Sequence, residues 1–520
     1  MSGASRVITS RAAAQSRAID ATPPTIVGAV GLTERGPMGE PIECLSFADY
    51  QATFGGPTVA SADMDLAVLG FFGEGGRILH VVRTCHYSDV TDPSTASAAK
   101  ASVTLDDRAG TPLDTLTIHA KTPGSYGNSI SIQITAATGG VSGEFNLYVL
   151  RSGVAVESFY NLTMVTTAPN YVETVINSGY GTQKPSNLIE AEDEGSATAA
   201  PNDAPAIATS SAMTGGSDGL TSLADADFVG GTGSSGSTGL RALDTVEGLS
   251  LIIMPGRATS TAQNGMITYC ESVREGRCFA ILDPPSGVTV AAMRTYFTST
   301  AALKNLSELA AIYYPRIKVD NPSSSVFGTA ATVTAAPSGA VAGLCARLDA
   351  SKDGGAFEHP ASIEFGTLRT ARGIESDEVK NVSKRGLLFD DLINPIMAKG
   401  GRVYVDGART CKSTGPFPTV GESRGVVSVQ IVIAEALEPK RNQNNRPRLR
   451  NEIKLVVDGY LTRLARAECF ASNVPEDAFY FDVGDALNGA AEQAAGNVNA
   501  RLGLALSKPA EFINLQFGPK

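Results

Sequence analysis

Asp283 closes the apolar run RCFAILDPP (277–285) and is followed at once by two prolines. In enzymes built on open parallel sheets, ligands sit at the carboxyl ends of the strands, so an acid at a strand exit is a candidate catalytic group. An acid in that place is also a turn former, because its side chain bonds to following backbone amides. General acid, base or nucleophilic chemistry needs partners within reach. The four histidines, His80, His86, His119 and His359, have no metal-ligand spacing. His80 lies in an apolar stretch where a core role fits. The seven cysteines (44, 85, 270, 278, 345, 411 and 469) form no CxxC pair and read as reduced, buried thiols. EAEDEG (190–195) carries charge without an EF-hand pattern, so it reads as solvated loop. GGTGSSGSTG (230–239) lacks the lysine of a phosphate cradle, and the strand-to-helix turns lack GxGxxG. No metal or cofactor site is expected.

One further stretch, VTAAPSGAVAGLCARLD (333–349), looks like the segment of subtilisin-type proteases in which a serine nucleophile precedes a small-residue helix. In that alignment the nucleophile position falls on Val333, with Thr332 and Thr334 beside it. Valine cannot attack a carbonyl, neither threonine has an evident base, and none of the histidines is followed by glycine. A catalytic triad is recognised by roles and geometry rather than order, but the residue types it needs are missing. On the residues alone the sheet reads as chemically empty, and Asp283 stays open between a turn former and an acid without partners.

The elements that would position these groups follow from periodicity. A chain of 520 residues is too long for one ordinary core. A net charge of −11 argues against nucleic acid as the main partner. No apolar stretch approaches the ~20 residues that span a bilayer, and the polar, Ala- and Ser-rich N-terminus does not read as a secretory signal. After a β-branched run from about residue 25, a helix is predicted near 61–74 and a strand over RILHVVRT (77–84). Between about 88 and 185 apolar and polar residues alternate, as in SISIQITAAT and FNLYVLRSG, which predicts a two-sheet β domain. Residues 186–240, rich in Gly, Ser, Ala and Asp, are expected to be loop and linker. Beyond 240, LSLIIMPG, RCFAILDPP and ELAAIYYPRIKV alternate with helical segments, which predicts βαβ units and a parallel sheet buried on both faces. GRVYVDGART and GVVSVQIVIAEAL read as strands. RPRLRNEIKLVVDGYLTRLARAECF (446–470) reads as a helix, with Leu449, Ile453, Val456, Tyr460 and Leu464 on one face and Pro447 in its first turn.

Several stretches in order resemble the sheath proteins of contractile phage tails. GLTERGPMGEPIECLSFADYQATFGG (31–56) and LAVLGFFGEGGRILHVVRT (66–84) look like that family's N-terminal region. KTPGSYGNSISIQI (121–134) is similar to its β-sandwich entry, with Tyr126 at an aromatic position. ILDPP, AAIYYPRIKV and APSGAVAGLCARLD match its middle domain. LINPIMAKGGRVYVDGART (392–410) resembles another of its motifs, with Asp406 in place of a tryptophan, and KPAEFINLQFG ends the match. The resemblance covers about residues 25–518.

The resemblance implies a multidomain α/β and α+β fold that is not an enzyme, with Asp283 a turn residue in a fold retained without its active site. Its parts are an N-terminal arm (1–24), an N-terminal part of the core (25–87) and an outward β-sandwich domain (88–240). A subtilisin-like α/β middle domain (241–375), an α+β inner domain (376–506) and a C-terminal arm (507–520) follow. It also implies a helical homo-oligomer around an inner tail tube, ending at baseplate and tail terminator proteins and contracting to drive the tube through a bacterial envelope. Such a sheath belongs to a virion assembled in the bacterial cytoplasm; the alternatives are a headless tailocin or an extracellular injection system, and more remotely a degraded subtilisin-like hydrolase. In the C-terminal arm, Phe512, Ile513, Leu515 and Phe517 are the residues for strand donation to a neighbour, the other reading being a terminal strand in the chain's own sheet. Lys440, Arg441, Arg446, Arg448, Arg450 and Lys454, opposed within their segment by Glu452 alone, form a basic stretch that either faces the tube or is a solvated helix start.

Overall fold

A computed structural model describes residues 25–352 and 354–510. The N-terminal arm and the expected arm residues Phe512, Ile513, Leu515 and Phe517 lie outside the described residues.

The parallel sheet expected beyond residue 240 is present and larger than that stretch alone predicts. It has nine strands in the order 367–368, 402–405, 394–399, 310–314, 279–282, 249–253, 26–31, 78–83, 41–44. The strands from 394–399 through 78–83 pair in parallel, and antiparallel neighbours close both edges. Strands Phe279–Leu282 and Ala310–Tyr314 are buried throughout, and Leu249–Ile253 is interrupted only by the half-buried Ser250, because the sheet is covered on both faces. Ile26–Gly31 is inserted between 249–253 and 78–83, so the N-terminal stretch completes the same core. Asn394–Lys399 and Arg402–Val405 extend that sheet at its other end, although the stretch from 376 onward is expected in an inner domain.

The small-residue motif APSGAVAG has a packing role. It opens helix Ser338–Asp349, which lies against helix Ala62–Glu74. A Cβ on Gly339 would stand 2.1 Å from the Ala67 carbonyl oxygen, and one on Gly343 2.4 Å from that of Phe71. Glycines at those positions let the two backbones touch.

The alternating region forms two antiparallel sheets around a separate core. One holds strands 102–106, 114–120 and 189–193; the other holds 208–212, 130–136, 145–151 and 154–162. Ile118, Ile132, Leu147, Phe159 and Ile189 fill the space between them. The expected loop and linker at 186–240 is corrected in part: much of it is irregular, but it carries regular elements. Ile189–Asp193 and Ala208–Ala212 are strands that complete both sheets, and EAEDEG begins in the first of them. Within GGTGSSGSTG, Thr232–Gly233 pairs with Gly236–Ser237 in a short hairpin. Gly239 there has φ +52 and would place a Cβ 2.4 Å from the Phe228 carbonyl oxygen. Close packing is confined to such positions, and most of the stretch between them is exposed loop.

The C-terminal part is mainly helical. GVVSVQIVIAEAL, expected as a strand, lies in helix Val420–Leu437. Thr419 caps that helix and the Glu422 carboxylate returns to the Thr419 backbone amide, a reciprocal box that starts a helix against the β-branched preference of the residues after it. The predicted second helix is Pro447–Arg466, with Leu449, Ile453, Val457, Tyr460, Leu461 and Leu464 buried; Val456 turns out only half-buried and Val457 takes the core position. The two helices, Phe470 and Phe481 share a third core.

Candidate functional site

Three places test the sequence-derived candidates: the carboxyl mouth of the parallel sheet, the basic helix start, and the region where the described chain ends.

At the mouth of the sheet Asp283 is 2 % exposed and is not a turn residue. Its carboxylate accepts from the Ser338 amide at 2.9 Å, the Ser338 hydroxyl at 2.7 Å and the Gly256 amide at 3.1 Å. Its carbonyl accepts from the Gln263 side chain at 2.7 Å, and Gln263 in turn accepts from the Tyr296 hydroxyl at 2.8 Å. Burial pushes the Asp283 carboxyl up to about 6, while the Arg316 charge and the Ser338 and Gly256 bonds pull against it. Arg316 also reaches Asp63, at 3.0 Å. The serine that meets the acid is thus Ser338, not the Val333 position or the threonines beside it. Thr332–Ala335 is a strand paired with Ile317–Asp320.

This arrangement resembles a catalytic pair only in composition. Ser338 is wholly buried, so no substrate carbonyl can reach its hydroxyl. The histidines are engaged elsewhere: His80 lies 3.7 Å from Glu43, His86 3.3 Å from Asp227, His119 3.1 Å from Glu192 and His359 2.9 Å from the Thr419 hydroxyl. The chemical result is a cross-strut joining three chain segments at the end of the sheet. Among the described residues no group of three His, Cys, Asp or Glu side chains is placed to hold a metal ion. All seven cysteines are buried and none is in a disulfide, and no helix among the described residues is long and apolar enough to cross a membrane.

The basic segment is largely matched from within. Lys440 meets Glu452 at 2.7 Å and Arg448 meets the same carboxylate at 2.9 Å, which holds Glu452 below its ordinary range. Arg441 pairs with Glu438. Lys454 donates to the Phe481 carbonyl at 2.9 Å and lies 3.0 Å from Asp458. Arg450 is buried and pairs with Asp485 at 2.6 Å, so it holds the helix to the 479–504 segment instead of facing outward. Arg446, at the N-cap, is exposed, as are Arg441 and Arg448. Counting charges along the sequence cannot reveal these pairings, because Asp485 and Glu438 lie outside the basic stretch.

Beyond the second helix, Phe479–Asp482 and Arg501–Leu504 form a two-stranded antiparallel sheet. Among the described residues neither strand has a further sheet neighbour. Phe481 is buried against the helices, whereas Tyr480 is 56 % exposed. A two-stranded sheet alone is marginal in water and presents unpaired backbone groups on its outer edges. The described chain then runs on through residues 507–510, where Ser507 and Lys508 line a cavity with Glu358 and His359.

A nine-stranded sheet with antiparallel edges, a two-sheet β domain inserted between 78–83 and 249–253, and a helical C-terminal unit carrying a two-stranded sheet make up a fold shared with contractile sheath proteins. The chain shares that fold over 92 % of its length, and 93 % of the other, with the sheath tail protein of Desulfitobacterium hafniense, at 14 % identity and a TM-score of 0.59. It shares it with the sheath tail protein of Listeria innocua over 90 % of each chain, at 13 % identity and 0.57. The match to the helical sheath of the anti-feeding prophage in its contracted state spans 100 % of both chains, at 16 % identity and 0.56. These structures are sheath structural proteins, not enzymes. The sequence itself matches no family profile and no curated protein.

Proposed function

We propose that this chain is the structural subunit of a contractile sheath, polymerising helically around an inner tube and shortening to drive that tube through a bacterial envelope. The observation that carries the reading is the fold match to the helical sheath of the anti-feeding prophage, which covers 100 % of both chains. A buried, inaccessible Asp283–Ser338 pair supports a parallel-sheet domain, subtilisin-like in kind, that serves as scaffold.

Assembly in this reading uses exchanged strands. The open edges at Phe479–Asp482 and Arg501–Leu504 are suited to accept an extended segment through backbone hydrogen bonds. Residues 1–24 and 507–520, with Phe512, Ile513, Leu515 and Phe517, are the donors. The tube-facing contact narrows to the exposed Arg441, Arg446 and Arg448, since Arg450 is committed to Asp485. Contraction needs no nucleotide: a modest gain in packing per subunit, repeated along the lattice, supplies the work, and rigid cores pivot about the arms.

A phage tail and an extracellular injection system are supported about equally, because the matching folds include sheath tail proteins and the sheath of an extracellular contractile injection system in its contracted state. In the first the tube delivers a genome and the protein resides in a virion; in the second it does not. Baseplate and tail terminator proteins would bound the sheath in either. Negative-stain microscopy of the purified protein with its tube, looking for hollow striated cylinders, tests the shared part.

A further inference from the structure

The described chain ends at the mouth of an apolar groove. Pro509 and Ala510 line a cavity of about 650 Å³ whose other walls include Phe365, Val382, Phe389 and Ala408. They also line an adjoining cavity of about 500 Å³ bounded by Leu392 and Pro418. The larger lies within the ~300–1,000 Å³ of preformed binding pockets. Its rim is apolar and exposed: Phe365 is 42 % and Val382 73 % accessible, and Ile363 and Leu387 on the same two helices are 44 % and 41 %. A patch of this kind on a soluble surface marks a contact.

We propose that the occupant is the chain's own C-terminal segment, Glu511–Lys520, seated in this groove in the unassembled subunit with Phe512 entering first. The inference rests on the arm reading given above and adds where the arm resides before it is exchanged. Phe512 lies two residues past Ala510, within about 7 Å of a cavity wall by chain length alone. Ten residues extend at most about 35 Å, enough to follow the groove past Phe389 and the Arg385–Asp406 pair, 3.4 Å apart. The segment EFINLQFGPK supplies apolar side chains to pack against those walls. Because the tether is so short, the local concentration of the segment is about millimolar, well above that of a neighbour in dilute solution. The groove then covers Phe512, Ile513, Leu515 and Phe517 until a neighbour's open edge competes for them, which keeps free subunits from joining at random.

The test uses a fluorescent peptide of residues 511–520 with the full chain, a chain ending at Ala510, and variants of the latter. The shortened chain should bind the peptide, and the full chain should bind it at least tenfold more weakly. Val382→Glu, an exposed change, should weaken binding at least tenfold, while Tyr480→Lys on the two-stranded sheet should leave it unchanged. No binding to the shortened chain, equal binding to the full chain, or loss with Tyr480→Lys but not Val382→Glu would each overturn the groove. Dimers of the full chain that dissociate on adding peptide would place the segment on a second copy and overturn the intramolecular seat. Arm exchange fails separately, if the chain ending at Ala510 still builds tubes.

Discussion

The Ser338 hydroxyl donates to the Asp283 carboxylate at 2.7 Å while the Ser338 amide donates to its other oxygen at 2.9 Å. One buried side chain therefore ties the exit of strand Phe279–Leu282 to the start of helix Ser338–Asp349. Asp283→Ala would leave these donors and the Gly256 amide unpaired in the core, at a cost of about 2–4 kcal/mol. Ser338→Ala should cost about 1–2 kcal/mol. Urea unfolding followed by circular dichroism measures both, and unchanged midpoints would contradict the strut. Neither change should alter hydrolysis of a peptide library, because Ser338 is not reachable.

Asp65 makes stability depend on pH. It is 3 % exposed, accepts from Tyr50 at 3.0 Å, and burial pushes its carboxyl up to about 7 despite hydrogen bonds from Ser61 and Tyr50 that favour the charged form. The folded state thus holds a proton the unfolded chain releases near pH 4, so the stabilisation is fully present below pH 4 and is lost as pH rises through 7. The full span is on the order of 4 kcal/mol. Asp65→Asn should flatten this part of the curve between pH 4 and 7, measured by urea unfolding at each pH; an unchanged slope would rule it out.

Arg450 and Arg448 separate folding from surface charge. Arg450→Ala removes a buried guanidinium and its Asp485 contact and should destabilise the C-terminal unit by about 2–3 kcal/mol. Arg448→Ala breaks an exposed pair with Glu452 and should cost under about 0.5 kcal/mol. Reversing Arg446 and Arg448 to Glu should weaken binding to the isolated tube and lower its salt sensitivity without moving the melting temperature. Tube binding indifferent to both would leave the segment a solvated helix start.

Gly339→Ala should destabilise by about 2–4 kcal/mol, because a Cβ there meets the Ala67 carbonyl oxygen of the facing helix at 2.1 Å. Gly459→Ala, on the exposed face of helix Pro447–Arg466 with nothing near its Cβ position, should be neutral or slightly stabilising. Thermal unfolding of the pair distinguishes close packing from a general dislike of side chains.

What could be read from the residues depended on whether the signal was local. The parallel strands were legible because runs such as RCFAIL are apolar throughout, and the β domain because Ile130–Ala136 alternates residue by residue. GVVSVQIVIAEAL misled because β-branched residues outweighed the T-x-x-E box just before them, which was the available sign of a helix start. The 186–240 stretch misled because small residues read as linker when their neighbours, distant in sequence, are not visible. For the same reason Asp283 was legible as a position but not as a partner of Ser338, fifty-five residues away. Likewise, charge along 440–454 says nothing of Asp485 behind Arg450.

Electron microscopy of the purified full chain mixed with its inner tube tests the sheath reading most directly, with the chain ending at Ala510 alongside it. Hollow striated cylinders from the full chain and only dispersed particles from the shortened one are the predicted result. A full chain that stays monomeric at every concentration in the presence of the tube would contradict it.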